Sequence, residues 1–377
     1  MSDTELLSRG LLNVALDSND VQDDRPSTSQ ALPGPQATDR LPLENEVGRI
    51  ALLVNLIKHI TKLDNIYGLR GCFPALPSQR VARGAYFQVR KPDDTEQNTV
   101  AKYPRQILTD SSQAVSGIID LEAVRLELNA LTHPPIRKHP HIVDIIGLSW
   151  ARLDADSYLS LPVLYLEFAA HGSLAQYLAD NEVSPRDRIG LAKQIAEGLD
   201  ILHICGITHG DLKLENVLVF PGKDEKVIAK LADFGCSTQI VDQGWQLRGG
   251  TQPWNAPEWR KIILPNMLHA PDIYSLGLLI WRLCLEGQNP FGTMGLSEIE
   301  FRKTHDMTIL DAENSIQQYY RFYRSLHQPV SDSEVFGDYL LLVVMPTKAF
   351  KASIIAEPSR RSLSMVRAAL SEQVAFG

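Results

Sequence analysis

The sequence predicts an α+β fold, a small strand-rich region followed by a larger, mainly helical one. Three observations predict it. Short β-type segments, 80–89, 98–102 and 163–169, fall in the first half of the chain. From Ser184 onward apolar residues recur at helical steps, and the run from Asp272 to Trp281 is apolar almost all round. Between those helices lie two polar loops, His209–Leu218 and Ala232–Gly235, each flanked by apolar runs that read as short strands.

Composition bounds the rest. With 377 residues, 44% hydrophobic and 22% charged, the chain holds enough apolar material for one large core or two modest ones. A formal net charge of -8 argues against a dominant nucleic-acid-binding face, which would need clustered Lys and Arg. The four cysteines, Cys72, Cys205, Cys236 and Cys284, form no C-x-x-C pair and read as reduced thiols of a cytoplasmic or nuclear protein. No charged start followed by an apolar run stands at Met1. The longest apolar runs, such as Tyr339 to Pro346, fall short of the roughly 20 residues that span a bilayer, so no membrane insertion is expected.

In chain order, residues 1–47 are polar and acidic, broken by Asp23-Asp24-Arg25-Pro26-Ser27 and Leu32-Pro33-Gly34-Pro35, and read as a flexible tail. Residues 48–75 read as an accessory amphipathic helix and linker, with Ile50, Leu53, Val54, Ile57 and Ile60 as a stripe that docks on the strand-rich region or on a partner. The main domain spans 76–373. It begins with a strand, tight turn and strand over 80–89, then a short strand ending in Lys102. Helical spacing of Leu121, Val124, Leu128 and Leu131 follows, on a segment that carries Glu122 and Glu127. Val163 to Ala169 reads as a buried strand running into a linker, after which Ser173 caps a short helix. Ser184-Pro185 opens a longer helix with Ile189, Ala192, Ile195, Ala196, Leu199 and Leu202 inward, and this helix delivers the chain to His209. Asp272 to Trp281 is a central buried helix, and 292–356 holds helical patches without a further signature.

The loops carry the chemistry. Asp211, Lys213, Asn216 and Asp233 put two carboxylates, an ammonium and an amide close together in sequence. Such a set suits holding metal-bound phosphates beside a substrate hydroxyl. His209-Gly210-Asp211-Leu212-Lys213 with Asn216, followed by Asp233-Phe234-Gly235, resembles the catalytic-loop and metal-loop pair of eukaryotic protein kinases. Ala256-Pro257-Glu258 and Asp272-x-x-Ser275-x-Gly277 continue the likeness, which covers about Leu76 to Gln373.

The resemblance implies a bilobal protein-kinase fold, with a small β-rich N-lobe (76–167) holding one key helix and a larger helical C-lobe (170–373). It implies ATP and Mg²⁺ as cofactors and protein substrates as partners. Asp211 would be the catalytic base and Lys213 would neutralise the transferred phosphoryl group. Lys102 would hold the α- and β-phosphates and pair with Glu127, with Glu122 as the fallback. Asn216 and Asp233 would be the metal ligands. Nucleotide would lie against Ala82, Gly84, Val89, Val100, Lys102 and Leu218, with Leu166 guarding the pocket and backbone groups of Glu167 and Ala169 meeting the adenine edge. Glu258 would pair with Arg361, and Asp272 would anchor the catalytic-loop backbone.

Two departures bear on activity. Of the three glycines of the family's phosphate-covering loop only Gly84 is present, with Ala82 and Phe87 at the outer places. Gly210 replaces the arginine that many members place before the catalytic aspartate, so activity without activation-loop phosphorylation is expected. Lys213 and Thr251 resemble the serine/threonine branch. The rival readings are a pseudokinase acting as a nucleotide-binding scaffold and an aminoglycoside-type small-molecule phosphotransferase.

Overall fold

The protein was analysed as a computed structural model, which describes residues 54–63, 79–83, 87–91, 98–104, 106–107, 118–152, 160–224, 226–239, 247–327 and 332–371. The predicted tail over 1–47, the linker over 64–75 and Gly84 lie outside the described residues.

Strands dominate the first unit, made of the described residues up to Arg125 together with Ile146–Leu166. β1 (Gln79–Arg83), β2 (Phe87–Lys91), β3 (Thr99–Pro104), β6 (Ile145–Arg152) and β7 (Ser160–Glu167) form one sheet in the order β1-β2-β3-β7-β6. A two-stranded ribbon, β4 (Gln106–Ile107) and β5 (Ile118–Ile119), stands apart from it. Side chains alternate across a strand, so register fixes faces. Val89 lies opposite Lys102 and Phe87 opposite Pro104. Phe87, Val89, Val100 and Lys102 therefore share one face. Ala101 and Tyr103 take the other and pack with Val163 and Tyr165 of β7 in one buried cluster.

The accessory helix α1 (54–63) forms as expected, but on a different seam. Val54, placed on the predicted stripe, is 42% exposed, and the buried side is Leu56, Ile60 and Leu63. The segment offers two overlapping apolar stripes, and packing selects the one at steps of four and three residues. Ile50 and Leu53 lie outside the described residues. Burial, with the charges of Arg125 and Lys62, pushes the His59 imidazole below its ordinary pKa.

α2 (Leu121–Thr132) begins where Asp120 Oδ1 accepts the Ala123 N–H at 3.0 Å, satisfying one of the donors a helix start leaves unpaired. Val124, Leu128 and Leu131 are buried, as their spacing predicts.

The second unit takes Leu126–Ile145 and the chain from Glu167 onward. Ser173 caps α3 (Leu174–Asp180), and Ser184 caps α4 (Pro185–Ile204) with proline at the helix start. All six residues expected to face inward on α4 are buried. Two small two-stranded sheets follow: β8 (Ile207–Thr208) with β11 (Thr238–Gln239), and the hairpin β9 (Val217–Pro221) with β10 (Val227–Leu231). α5 (Ala270–Cys284) is buried along its whole length. It approaches α9 (Met345–Ser353) closely, since a Cβ on Gly277 would lie 2.3 Å from Ser353 Oγ. α6 (Leu296–Thr304), α7 (Met307–Leu326), α8 (Asp332–Tyr339), α9 and α10 (Leu363–Leu370) fill out the unit, so the patches over 292–356 are true helices. No helix among the described residues is long and apolar enough to cross a membrane.

Candidate active site

The β9–β10 ladder places the metal-ligand candidates. Val217 pairs with Leu231, and the ladder continues as Ala232 N–H donates to Asn216 O at 2.9 Å. Asp233 thus follows directly after the residue opposite Asn216. Its backbone is left-handed (φ 65°, ψ 72°), a conformation non-glycine residues seldom adopt, which turns the chain into the short helix Phe234–Cys236. Leu218 is half-buried while Val217 and Val219 are fully buried, so the hairpin presents one leucine on its other face.

The catalytic-loop candidate hangs from a buried carboxylate. Asp272, 1% exposed on α5, accepts the His209 N–H on Oδ2 (2.7 Å) and the Gly210 N–H on Oδ1 (2.9 Å). His203, in the last turn of α4, meets the same Oδ2 at 3.0 Å. Burial pushes the Asp272 carboxyl up, but the His203 contact and charge, the charge of His209 and the Gly210 N–H together hold it below its ordinary range. The His209 ring fixes the loop from its other side: Nδ1 accepts the Asp211 N–H at 3.3 Å and Nε2 donates to Ala232 O at 3.1 Å. Glycine at 210 is a steric requirement. Its φ is +81°, and a Cβ there would stand 2.5 Å from Cys236 O.

So suspended, Asp211 gathers polar groups on both oxygens. Oδ1 accepts from Thr251 N–H (2.8 Å) and Thr251 Oγ1 (2.7 Å), while Oδ2 accepts from Lys213 Nζ (2.6 Å) and Asn216 Nδ2 (3.0 Å). Asn216 Nδ2 also donates to Asp211 O at 2.8 Å, and Lys213 Nζ donates to Thr251 Oγ1 as well. Three residues from two loops converge with four hydrogen bonds on one carboxylate, 13% exposed at its side chain.

The segment 250–258 is tied down along its length. Trp254 lies between Arg282, whose guanidinium carbon is 4.3 Å from the ring centroid, and Phe291 at 6.0 Å. Arg282 also bonds Glu215 on the catalytic loop at 3.0 Å. Lys303 of α6, 1% exposed, donates to Asn255 O at 2.6 Å and to Pro253 O. Burial pushes the Lys303 ammonium down to about 8, against the opposing charges of Glu300 and Glu258. Glu258 is held by Arg361 in a two-pronged ion pair, with the second prong at 3.0 Å, and Arg361 further donates to Ile355 O, Ala270 O and Ala356 O.

The sequence candidates fall into two sets. In the first unit, Val89, Val100 and Lys102 share a sheet face, and Ala82 pairs across with Val89. Lys102 is 4% exposed with Nζ 4.2 Å from the Phe87 ring centroid, and Leu166 is buried on β7. In the second unit, Asp211, Lys213, Asn216 and Asp233 come together around the loops. Glu127 is fully buried on α2, whereas Glu122 bonds Arg125 one turn along its own helix at 2.7 Å. The Glu167 carboxylate is occupied by Lys230 Nζ (2.6 Å) and the Asp144 N–H (2.8 Å), and Ala169 O accepts from Gly172 N–H at 3.1 Å. Sequence reading missed His203, Arg282 and Lys303. Only Lys303 left a trace: it falls four residues after Ile299, on the buried stripe of an otherwise polar helix.

Comparisons with known proteins agree with this geometry. The family model described as protein kinase domain matches residues 79–352. Over 166 residues, 43% of this chain, the sequence is 35% identical to mitogen-activated protein kinase kinase kinase 13-A of Xenopus laevis and 32% identical to mitogen-activated protein kinase kinase kinase 13 of Homo sapiens. It is 28% identical over 211 residues, 52% of this chain, to ephrin type-B receptor 4b of Danio rerio. The match spans only 16% of the length of the first two relatives and 19% of the third.

Proposed function

Since the chain belongs to the protein kinase domain family, we propose that it transfers the γ-phosphoryl group of ATP to serine or threonine hydroxyls of protein substrates. The observation that carries this is the convergence of Lys213, Asn216 and Thr251 on the Asp211 carboxylate. A carboxylate fixed at two oxygens can orient an acceptor hydroxyl and take its proton as the oxygen–phosphorus bond forms, a role worth about 10²- to 10⁴-fold in rate. The Lys213 ammonium supplies positive charge where the transferred group gathers negative charge. Lys102 and Glu127 are the reading's phosphate anchor and its partner, Val89, Val100, Leu166 and Leu218 its apolar contacts to the base, and the Glu167 and Ala169 backbone its polar ones.

The donor set fits a hard divalent cation. Asn216 directs Nδ2 at Asp211, which leaves its Oδ1 as a ligand, and Asp233, directly after the residue paired with Asn216, would supply a carboxylate. Among the described residues no group of three or more His, Cys, Asp or Glu side chains is placed to hold a metal, so phosphate oxygens and water would complete the shell. When bound, Mg²⁺ would neutralise phosphate charge and orient the phosphates.

The test is phosphate incorporation from ATP and Mg²⁺ into dephosphorylated casein, followed by phosphoamino-acid analysis. Label on serine or threonine with wild type and none with Asp211→Asn is the expected outcome; label on tyrosine alone would overturn the acceptor class. The scaffold reading draws on Phe87, whose ring lies under Lys102 where the family's loop has a glycine. Equal background incorporation by wild type and Asp211→Asn would favour it.

A further inference from the structure

A lysine ammonium buried to 1% exposure without a carboxylate in ion-pair contact is a costly arrangement, because the charge leaves water and gains only dipoles in return. Among the described residues Lys303 is such a group. Its hydrogen-bond acceptors are two main-chain carbonyls, Pro253 O and Asn255 O, and the Tyr274 and Phe291 rings lie 5.9 and 6.0 Å from Nζ. The neighbouring acid Glu258 is already taken by Arg361. Methionine or leucine at 303 would fill similar volume at a lower electrostatic cost.

What the ammonium holds explains it. Pro253 and Asn255 sit two and four residues after Thr251, whose N–H and hydroxyl both bond Asp211. Asn255 itself contributes nothing from its side chain: both Nδ2 and Oδ1 are buried with no hydrogen-bond partner among the described residues. That segment would gain by moving its amide toward water were its backbone not fastened. We propose that Lys303 is a positioning residue for the reaction, fixing through the Pro253 and Asn255 carbonyls the course of the 251–256 backbone that presents Thr251 to Asp211 and receives the protein acceptor. This rests on the reading of the chain as a protein kinase for its acceptor, but the fastening of the backbone is a claim of its own.

The experiment separates the two. Hydrogen–deuterium exchange on the full chain follows the amides of 250–258 in wild type, Lys303→Met and Lys303→Arg. Steady-state transfer to dephosphorylated casein gives KM and kcat for the same proteins, with Asp211→Asn as the inactive control. Lys303→Met is expected to raise exchange in 250–258 while α5 stays protected, and to raise KM for casein roughly tenfold, the equivalent of one lost buried hydrogen bond, with a smaller fall in kcat. Lys303→Arg keeps charge and donors and should restore part of both. Unchanged exchange over 250–258 in Lys303→Met overturns the proposal. So does a fall confined to kcat, or a loss in Lys303→Arg as large as in Lys303→Met. If wild type and Asp211→Asn transfer equally little phosphate, the kinase reading fails, and the exchange data alone still decide whether Lys303 fastens the segment. Should Lys303→Met not fold, Lys303→Gln carries the same comparison.

Discussion

The catalytic loop and the 250–258 segment meet at Asp211, yet opposite chemistry suspends them. The loop hangs by its N–H groups from a buried anion, Asp272. The segment hangs by its carbonyls from a buried cation, Lys303, and its end is closed by the Glu258–Arg361 pair. Their protonation behaves differently as a result. Four donors or charges around Asp272 favour its charged form, holding its pKa down, whereas burial disfavours the charged form of Lys303 and brings it to about 8. The first anchor is secure at neutral pH and the second stands close to losing its proton in mild alkali.

The largest expected effect removes the point where the two regions meet. Asp211→Asn keeps the size of the side chain but cannot accept a proton, so kcat for transfer should fall about 10³-fold, near 4 kcal/mol of barrier, in a radiolabel assay. A fall below tenfold would mean that Asp211 only organises the loops.

Next in size is the anion anchor. Asp272→Asn offers one oxygen where two were used, leaving either the His209 or the Gly210 N–H buried and unpaired and His203 without its carboxylate. A loss of about 3 kcal/mol in denaturant unfolding is expected, together with loss of activity. Lys303→Met should leave the loop intact by comparison. Equal destabilisation by both would erase the contrast between the anchors.

That contrast also explains what the sequence made legible. Asp272 stands in the spaced motif Asp-x-x-Ser-x-Gly, Asp211 in His-Gly-Asp-Leu-Lys, and Glu258 directly after Ala-Pro, because side-chain chemistry there demands particular residues at particular steps. Arg361 was found by the same logic, its partner being a motif residue. Lys303 acts on backbone carbonyls, targets that any sequence supplies, so no second residue marks it, and Arg282 meets Trp254 and Glu215, which only the fold brings beside it. His203 looks like an ordinary histidine in a last helical turn, and only the fold brings it 3.0 Å from Asp272. The α1 seam was misjudged because two apolar stripes overlap there, and periodicity cannot choose between faces that packing alone distinguishes.

A smaller effect probes the anion anchor through acid. The His269 ring lies tilted against His203, 4.2 Å between centroids, and stands at the N-terminus of α5, where the helix dipole also opposes a positive ring. Its Nε2 is buried without a hydrogen-bond partner among the described residues. Burial first, then the His203 charge, push its pKa down to about 4 despite the Asp272 carboxylate. With the folded value depressed below the unfolded 6.5, the unfolded chain binds the extra proton. The stability is therefore fully present above pH 6.5 and lost as pH falls toward about 4. Discounting for partial exposure, the loss should be about 2 kcal/mol. His269→Leu should flatten the fall in Tm between those limits; an unaltered slope would place the acid-sensitive group elsewhere.

The smallest effect expected is none. In kinases with arginine before the catalytic aspartate, a phosphate on the activation segment neutralises that charge and draws the segment into place. Here the residue is Gly210, with φ +81° and Cys236 O where a Cβ would go, so there is neither a charge to neutralise nor room for the side chain that would carry it. Thr251 bonds Asp211 through both its N–H and its hydroxyl. The ordering that phosphorylation supplies elsewhere is provided by Lys303, Arg282 and Arg361 from within the fold. Phosphatase treatment, verified by intact mass, should consequently change kcat less than about twofold, below 0.5 kcal/mol of barrier. Abolished turnover after that treatment would show that these internal ties are insufficient and that an added charge completes the segment. Restoring arginine at 210 should then lower stability instead of conferring phosphate dependence, because its backbone has to leave the left-handed region before any charge can act.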